Sequence, residues 1–281
     1  MSCCERRTLV SDTPWTGGRV SERATVVLCP NPGPMTLEGT NTWVLHSPST
    51  NEAVVIDPGP LDEDHLQRVL RYADELGARI ALTLLTHHHH DHAESADRWA
   101  TLTGAPIRGA GRGRPFVHEE RIEVGDITIR VLLTPGHTAD SVSFVWAAER
   151  LMLTGDTVLG RGTSIVAHPD GALRPYLASL DLLLEAAQAA PLRLGPGHGP
   201  VHEDAKAVLS AYISHRRDRL EQVRTALREG AQDAPDVAQA VVERVYAEVP
   251  RSVWPAAKAT VQAQLDYLSE PGAAAAPRPA E

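Results

Sequence analysis

Six consecutive residues whose side chains can ligate a metal ion or carry a proton follow a single apolar segment. The segment spans residues 80–85, and after Thr86 the chain reads His87-His88-His89-His90-Asp91-His92. Imidazole side chains have modest helix propensity, and so many of them in a row have no packing role in an apolar core. Histidine and aspartate are, however, common ligands of zinc and other divalent ions. The run therefore predicts a metal site at the end of a strand.

The spacing within this run predicts which side chains lie together. His87, His89 and Asp91 are two residues apart, and alternate side chains of an extended backbone point to the same side. We therefore expect these three to project together, with His92 turning in from the next position. Two histidines have the opposite parity, and we expect supporting or buried structural roles for them: His88 and His90.

Three later turns each place a further ligand after an apolar stretch. His137 follows Pro-Gly, Asp156 follows Gly, and His198 follows Gly-Pro-Gly. Glycine lets the backbone approach an ion without a clash of Cβ. With the run, these turns give five imidazoles and two carboxylates, whereas a single structural zinc ion takes about four ligands. The surplus predicts two ions with open positions for water and substrate.

Strands and helices that would position these residues fall into two sets, before and after residue 120. The first set contains an antiparallel meander, a helix that ends at a glycine, and the strand that feeds the histidines. Its predicted strands are 24–29, 40–45, 52–56 and 79–85, and its predicted helices are 62–76 and 93–102. The second set comprises a hairpin at 121–133 that turns at Gly125-Asp126, strands 142–146 and 151–153, helix 173–187 and a short strand before residue 195.

From residue 203 onwards the pattern is helical, with predicted helices at 205–229, 237–248 and 254–268. We predict a catalytic domain at 1–204, a small helical domain at 205–270, and a disordered Ala/Pro-rich tail at 271–281.

Composition narrows the classes of protein to consider. The 281 residues are 42% hydrophobic and 22% charged, which is typical of a globular chain. The net charge of −9 does not favour non-specific binding to nucleic acid. We find no apolar run of the roughly 18 residues that a membrane helix needs, and no signal peptide. Cys3, Cys4 and Cys29 cannot form a disulfide framework, and the first two are expected in a frayed terminus. A cytoplasmic, reducing location is expected.

The ligand pattern resembles the metallo-β-lactamase superfamily, with His87-x-His89-x-Asp91-His92 followed in family order by His137, Asp156 and His198. This resemblance implies an α+β fold, in which two sheets pack face to face between helices as a four-layer αββα sandwich with the site at one edge. It also implies how the ligands divide. His87, His89 and His137 would hold one zinc ion, Asp91, His92 and His198 would hold the other, and Asp156 would bridge the two Zn²⁺ ions.

Five further segments look like the β-lactamase-like endoribonuclease of mitochondria: 31–42, 134–138, 155–160, 195–201 and 212–216. The likeness covers most of residues 24–270, and it implies a winged-helix-like helical domain and a single-stranded RNA substrate. Fungal acyl-carrier thioesterases share the opening segment. The chain departs from the family at Ala93-Glu94-Ser95 and in the longer loop 165–174, both near the expected mouth of the site.

We therefore expect a dinuclear zinc hydrolase. A metal-bridging hydroxide, available near neutral pH because the ions lower its pKa to roughly 7, would attack a phosphoryl or acyl centre. Asp91 is the candidate catalytic residue that orients the hydroxide and moves its proton. The substrate would be RNA or a small molecule, no membrane is involved, and an oligomer is possible. Alternatives are a thioesterase on the same site, or a persulfide dioxygenase with one iron, against which the complete second ligand set argues.

Residues that would contact substrate are less clearly marked. Asn41 is either a donor to substrate or a turn former, and His168 either reaches substrate from its loop or is exposed. A basic helix is either a solvated face or a phosphate-binding strip, and it carries Lys206, Arg216, Arg217, Arg219, Arg224 and Arg228. The remaining histidines are expected to be structural or exposed: His46, His65, His118, His202 and His215.

Overall fold

The computed structural model describes residues 14–271 of the chain. The expectations for Cys3 and Cys4, and nearly all of that for the tail 271–281, concern residues outside this range. No helix in the described range is both long enough and apolar enough to cross a membrane.

The first sheet follows chain order from edge to edge. Its strands are β1 (Gly18–Arg19), β2 (Ala24–Leu28), β3 (Asn41–Ser47), β4 (Glu52–Ile56), β5 (Arg79–Leu84) and β6 (Ile107–Arg108). The pairs from β1 to β4 are antiparallel, which confirms the predicted meander. Strands β4 and β5 are parallel, because the chain between them crosses over through helix α1 (Glu63–Glu75).

The second sheet begins with the predicted hairpin. Strands β7 (Arg121–Val124) and β8 (Ile127–Leu133) pair across a turn at Gly125, whose φ of +55° suits glycine. Beyond β8 lie β9 (Val142–Trp146), β10 (Leu151–Gly155) and β11 (Arg193–Pro196). Strands β10 and β11 are parallel, and the crossover between them is helix α4 (Leu173–Ala189).

Alternation along the strands builds the layers. On β3, Trp43 and Leu45 point between the two sheets and meet Phe144 of the second sheet, whereas Val44 points outward onto α1. On the opposite side of the molecule, Tyr176 of α4 joins the cluster that covers the second sheet. Helices therefore cover both outer faces, and the predicted four-layer αββα sandwich is confirmed.

The histidine segment lies at the C-terminal end of β5 and differs from the prediction. A single helix was expected at 93–102, but the chain forms α2 (His90–Ala93) and then α3 (Ala96–Thr103). Backbone N–H groups of His92 and Ala93 donate to the carbonyl of His89 at 3.0 Å. Asp91 consequently lies on helical backbone, so the extended, alternating arrangement that we predicted for His87, His89 and Asp91 is wrong at its last member.

Three helices follow the sandwich: α5 (Ala205–Arg228), α6 (Val237–Val245) and α7 (Trp254–Ser269). The side chains of Asp204 and Asp236 cap the N-termini of α5 and α6. The C-terminal half of α5 packs with α6 and α7 in a small core of their own. The N-terminal half of α5 packs on α4 instead, so one helix belongs to both the sandwich and the helical region.

Candidate metal centre

The fold brings the seven ligand-type residues together in two groups at the ends of their strands. The first group comprises His87, His89 and His137, and the second group comprises Asp91, His92, Asp156 and His198. The members come from β5 and α2, from the turn after β8, from the end of β10 and from the end of β11. Positions separated by more than a hundred residues along the chain therefore share one site.

Distances within the first group match the coordination of a tetrahedral ion. His89 Nδ1 lies 3.1 Å from His87 Nε2 and 3.1 Å from His137 Nε2. Three imidazole nitrogens bound to one zinc ion at its usual bond length and angle stand about 3.3 Å apart. The first group therefore fits a divalent ion without rearrangement of its side chains.

The second group is equally close-set and includes the residue that links the groups. His198 Nε2 lies 3.2 Å from His92 Nε2, 3.0 Å from Asp91 Oδ2 and 3.3 Å from Asp156 Oδ2. The same Asp156 oxygen is 3.8 Å from His137 Nε2 of the first group. Its other oxygen, Oδ1, is buried and has no hydrogen-bond partner among the residues that the structure describes. It lies 3.4 Å from His92 Nε2, so without a metal it has an ion pair but no hydrogen bond. A cation between the groups would satisfy this buried oxygen.

Hydrogen bonds behind the imidazoles determine which ring nitrogen faces the site. His137 Nδ1 lies 2.7 Å from the Ile165 carbonyl, and His198 Nδ1 lies 3.1 Å from the Gly39 carbonyl. A carbonyl only accepts, so each Nδ1 must carry the proton. Nε2 of each ring then faces the site, as metal ligation requires, and His198 can ligate through it once the second proton of its ring has left.

Asp57 supports both groups and was missed by the sequence interpretation. One of its oxygens accepts from His92 Nδ1 at 2.9 Å and from the Thr86 hydroxyl at 2.7 Å. The Thr86 oxygen in turn lies 3.0 Å from Nδ1 of His87. Asp57 directly follows the predicted strand 52–56, and no role was predicted for it. A carboxylate at the C-terminal end of β4, the strand beside β5, was the available signal.

The imidazoles of the first group are held neutral. Burial, together with the neighbouring His137, lowers the pKa of His89 to about 4. Burial likewise lowers the pKa values of His87 and His137. At neutral pH these nitrogens carry free lone pairs.

The histidines of the second group are protonated in the metal-free protein. Burial would lower the pKa of His198, but the carboxylates of Asp156 and Asp91 outweigh it and raise that pKa to about 9. The same carboxylates and Asp57 raise the pKa of His92. Burial raises the pKa of Asp91, but His92 and His198 outweigh it and lower that pKa to about 2. Without a metal, protons therefore occupy this group.

The two histidines of opposite parity were predicted to have supporting or buried structural roles, and neither of them is buried. The side chain of His90 is 92% exposed, because α2 begins at this residue and turns it away from the site. The His88 side chain is 48% exposed, and its Nδ1 lies 2.8 Å from Asp140. His88 also forms a looser ligand-type group with His89 and Asp170.

Asn41 is fully buried and has a structural role. Its amide hydrogens bind the carbonyls of Pro196 and Gly199 at 3.0 and 2.9 Å, and its carbonyl accepts from Trp15 Nε1 at 2.8 Å. No hydrogen of the amide remains for a substrate, so Asn41 fastens β3 to the loop that carries His198.

His168 turns towards the helical region, where its Nδ1 lies 2.9 Å from Asp266 of α7. Among the other histidines, His65 is buried against the Thr42 hydroxyl, whereas His118 and His215 are exposed. These three agree with the prediction of structural or exposed roles.

The basic helix, α5, does not present its arginines as one strip. Arg216 is only 5% exposed and points inward, which contradicts its assignment to a surface strip. Arg219 donates to the Val245 carbonyl, and Arg228 pairs with Glu221. Several of the arginines of α5 are therefore paired with acidic neighbours or bonded within the protein.

A family comparison agrees with this arrangement. The metallo-beta-lactamase superfamily model matches residues 35–116 and 110–198, which include all seven ligand-type residues. The chain belongs to the metallo-β-lactamase superfamily. A second model, the beta-lactamase associated winged helix domain, matches residues 238–276. The fold, the winged-helix domain and the ligand groups together make the chain a metal-dependent hydrolase of this superfamily.

Relatives are similar over most of their length. A beta-lactamase-like protein 2 homolog of Drosophila melanogaster is 34% identical over 90% of both chains. An atrochrysone carboxyl ACP thioesterase of Aspergillus chevalieri is 32% identical over 84% of this chain and 77% of its own. Among solved structures, a metallo-beta-lactamase family protein from Thermus thermophilus shares the fold with a TM-score of 0.73. It is 21% identical and covers 89% of this chain and 94% of its own.

Proposed function

We propose that the chain is a dinuclear zinc enzyme that hydrolyses phosphodiester bonds in single-stranded RNA. The observation that carries the proposal is the pair of ligand groups joined through Asp156. When bound, two such ions would supply the Lewis acidity that activates water and stabilises charge on both oxygens of a displacement at phosphorus.

The protein groups have separate tasks in this proposal. Asp91 is the most open member of the second group, with 28% of its side chain exposed, whereas His92 and His198 are fully buried. Asp91 would orient the attacking water and accept its proton. The buried His92 and His198, with Asp57 behind His92, hold the geometry of the second group.

The RNA assignment is supported by the resemblance of five segments to the mitochondrial endoribonuclease, 31–42, 134–138, 155–160, 195–201 and 212–216, and by local charge. The N–H of Leu85, two residues before the histidine run, donates to the carbonyl of Arg108 in β6. The loop that follows β6 carries two more arginines, Arg112 and Arg114. Arg112 pairs with the exposed Asp97, and such an exposed pair contributes little energy, so a phosphate group could replace the carboxylate. Arg114 is 66% exposed and pairs with Glu120, which is held inside the loop by Arg108 as well.

Hydrolysis of a thioester is the second candidate. It is favoured by the 32% identity to a fungal acyl-carrier thioesterase. Two large apolar side chains, Met35 and Leu61, are also 50% and 60% exposed. Met35 lies in the loop whose Gly39 carbonyl holds His198, and the Leu61 N–H binds Glu94 just after α2. An acyl chain could pack on such residues.

A substrate panel on the zinc-loaded protein separates the two candidates. Labelled single-stranded RNA should be cut, cutting should stop on chelation and resume with zinc, and acyl thioesters should turn over at least tenfold more slowly. Replacement of Arg112 and Arg114 by alanine should raise KM for RNA alone, whereas Met35→Ser with Leu61→Ser should not. Turnover of thioesters without cutting of RNA would overturn the RNA assignment. One iron per chain in untreated protein would overturn the dinuclear zinc centre.

A further inference from the structure

Arg216 lies in the interior, where an arginine side chain is rare. It belongs to α5, the helix shared by the sandwich and the helical region, and only 5% of it is exposed. Its guanidinium lies 4.9 Å from the centre of the Tyr176 ring, and its Nη2 donates to the Ser164 carbonyl. Burial of a charged group is costly unless its hydrogen bonds are made. The Nε of Arg216 is buried without a hydrogen-bond partner among the described residues, so the bond from Nη2 to Ser164 offsets part of this cost and restrains both partners.

The segment that Arg216 holds, residues 157–165, lies directly behind the metal ligands, and we call it the backing loop. The Ser164 hydroxyl donates to the carbonyl of Asp156. The Ile165 carbonyl accepts from His137 Nδ1 at 2.7 Å. The N–H of Gly160 donates to the His198 carbonyl at 2.8 Å. One loop thus touches both ligand groups and the carboxylate that joins them.

Helices hold the backing loop at three points. Tyr176 of α4 donates its hydroxyl to the Thr157 carbonyl at 2.7 Å. Tyr212 of α5 accepts from the N–H of Leu159 at 2.9 Å, and Arg216, one turn later on α5, holds Ser164. Two of the three attachments therefore come from the helix that continues into the helical region.

We propose that Arg216 is a positioning residue, through which α5 fixes the backing loop and thereby sets the affinity of the first ligand group for its metal ion. His137 is the ligand most directly affected, because its proton-bearing nitrogen bonds to the residue after Ser164. The inference rests on metal binding at the site and not on the identity of the substrate. In this proposal, α5 supports the metal centre as well as the core of the helical region.

Arg219 offers a matched control on the same helix. It also donates to a backbone carbonyl, that of Val245, at 2.8 Å, and its guanidinium also stacks on a tyrosine, Tyr246, at 4.5 Å. Both of its partners belong to the helical region and neither touches the backing loop. Loss of Arg219 removes the same kinds of contact without reaching a metal ligand.

The test is a titration of the chelator-stripped full chain with Co²⁺, followed in the visible spectrum, and with Zn²⁺ in competition. Arg216→Met should weaken the first-group ion by about 10- to 100-fold, the range typical for groups that orient ligands, and should alter the cobalt bands. Arg219→Met should leave both unchanged. Hydrogen exchange of residues 159–165 in the metal-free protein should rise in the first variant only. Arg216→Lys, which keeps the charge and a donor, should restore part of the affinity.

Wild-type affinity and spectrum in Arg216→Met would overturn the proposal, and so would equal losses in the Arg216 and Arg219 variants, which would indicate general destabilisation. If Arg216→Met does not fold, Arg216→Lys takes its place in the comparison with Arg219→Met. Wild-type affinity in Arg216→Lys, or equal losses in these two variants, would then overturn the proposal. Failure of the wild type to bind divalent ions would overturn the metal centre itself. Inactivity on RNA would leave the titration unaffected.

Discussion

The two ligand groups both contain buried imidazoles, but the imidazoles of the two groups differ in protonation state. In the first group, burial keeps three imidazoles neutral, with the pKa of His89 lowered to about 4. In the second group, Asp91 and Asp156 lie among the imidazoles and raise the pKa of His198 to about 9. A carboxylate within ion-pair distance thus outweighs burial. The first group is ready for a cation, whereas the second must release protons before a cation can bind.

The first prediction asks whether the first group is essential. His89→Ala removes the nitrogen that lies between His87 and His137, so hydrolysis should fall by about 10³-fold or more, as expected for loss of a charge-stabilising element. The measurement is kcat/KM together with metal content. His90→Ala is the control, since this neighbour is 92% exposed and its loss should change neither quantity. Equal effects of the two variants would contradict the division of the histidine run.

The second prediction concerns the pH dependence of metal binding. At pH 7, His198 lies below its pKa of about 9 and is protonated, whereas His89 lies above its pKa of about 4 and is neutral. The metal affinity of the second group should therefore rise with pH up to pH 9, by about tenfold per pH unit for each proton that metal binding releases. The metal affinity of the first group should stay constant above pH 6. Calorimetry in buffers of different ionisation enthalpy measures the protons. Equal proton release when metal binds to the first group and to the second group would contradict the difference in protonation between them.

The third prediction tests the support that Asp57 gives. Asp57→Asn keeps the shape of the side chain but removes the charge that faces His92, so metal affinity of the second group should fall by about 10- to 100-fold. The first group should lose less, because Asp57 touches none of its members and reaches it through Thr86 and through the His92 ring, 4.2 Å from that of His87. Asp140→Asn is the control, because Asp140 bonds to His88, which belongs to neither group. A larger loss of metal affinity in the first group than in the second would contradict the role assigned to Asp57.

The smallest effect should appear in the stability of the metal-free protein. Because the folded pKa of His198 is raised, its contribution is complete below its unfolded value near 6.5 and is lost as pH rises through about 9. The lowered pKa of His89 acts in the other direction, and stability is lost as pH falls from about 6.5 towards 4. The thermal midpoint should therefore peak between these limits, at near-neutral pH. With zinc bound, the alkaline decline should disappear, and a decline that persists would contradict this origin.

Local patterns were sufficient where neighbours along the chain determine the structure. The hairpin at 121–133 was confirmed because alternating β-branched residues flank a Gly-Asp turn. Helix 173–187 was confirmed as α4 because its apolar period fits a helix. The start of α2 was missed, since histidine has weak preferences and the packing of Ala93 and Ala96 beneath the segment decides where the helix begins.

The sequence by itself determined the kinds of donor, their order, and hence the superfamily, because ligand chemistry belongs to residue types. Only the tertiary structure decided that Asp57 lies behind His92, that Arg216 points inward to Ser164, and which ring nitrogen each histidine offers. The charge of each group was also decided there. A pKa depends on burial and on charges brought close in space, and these come from distant parts of the chain.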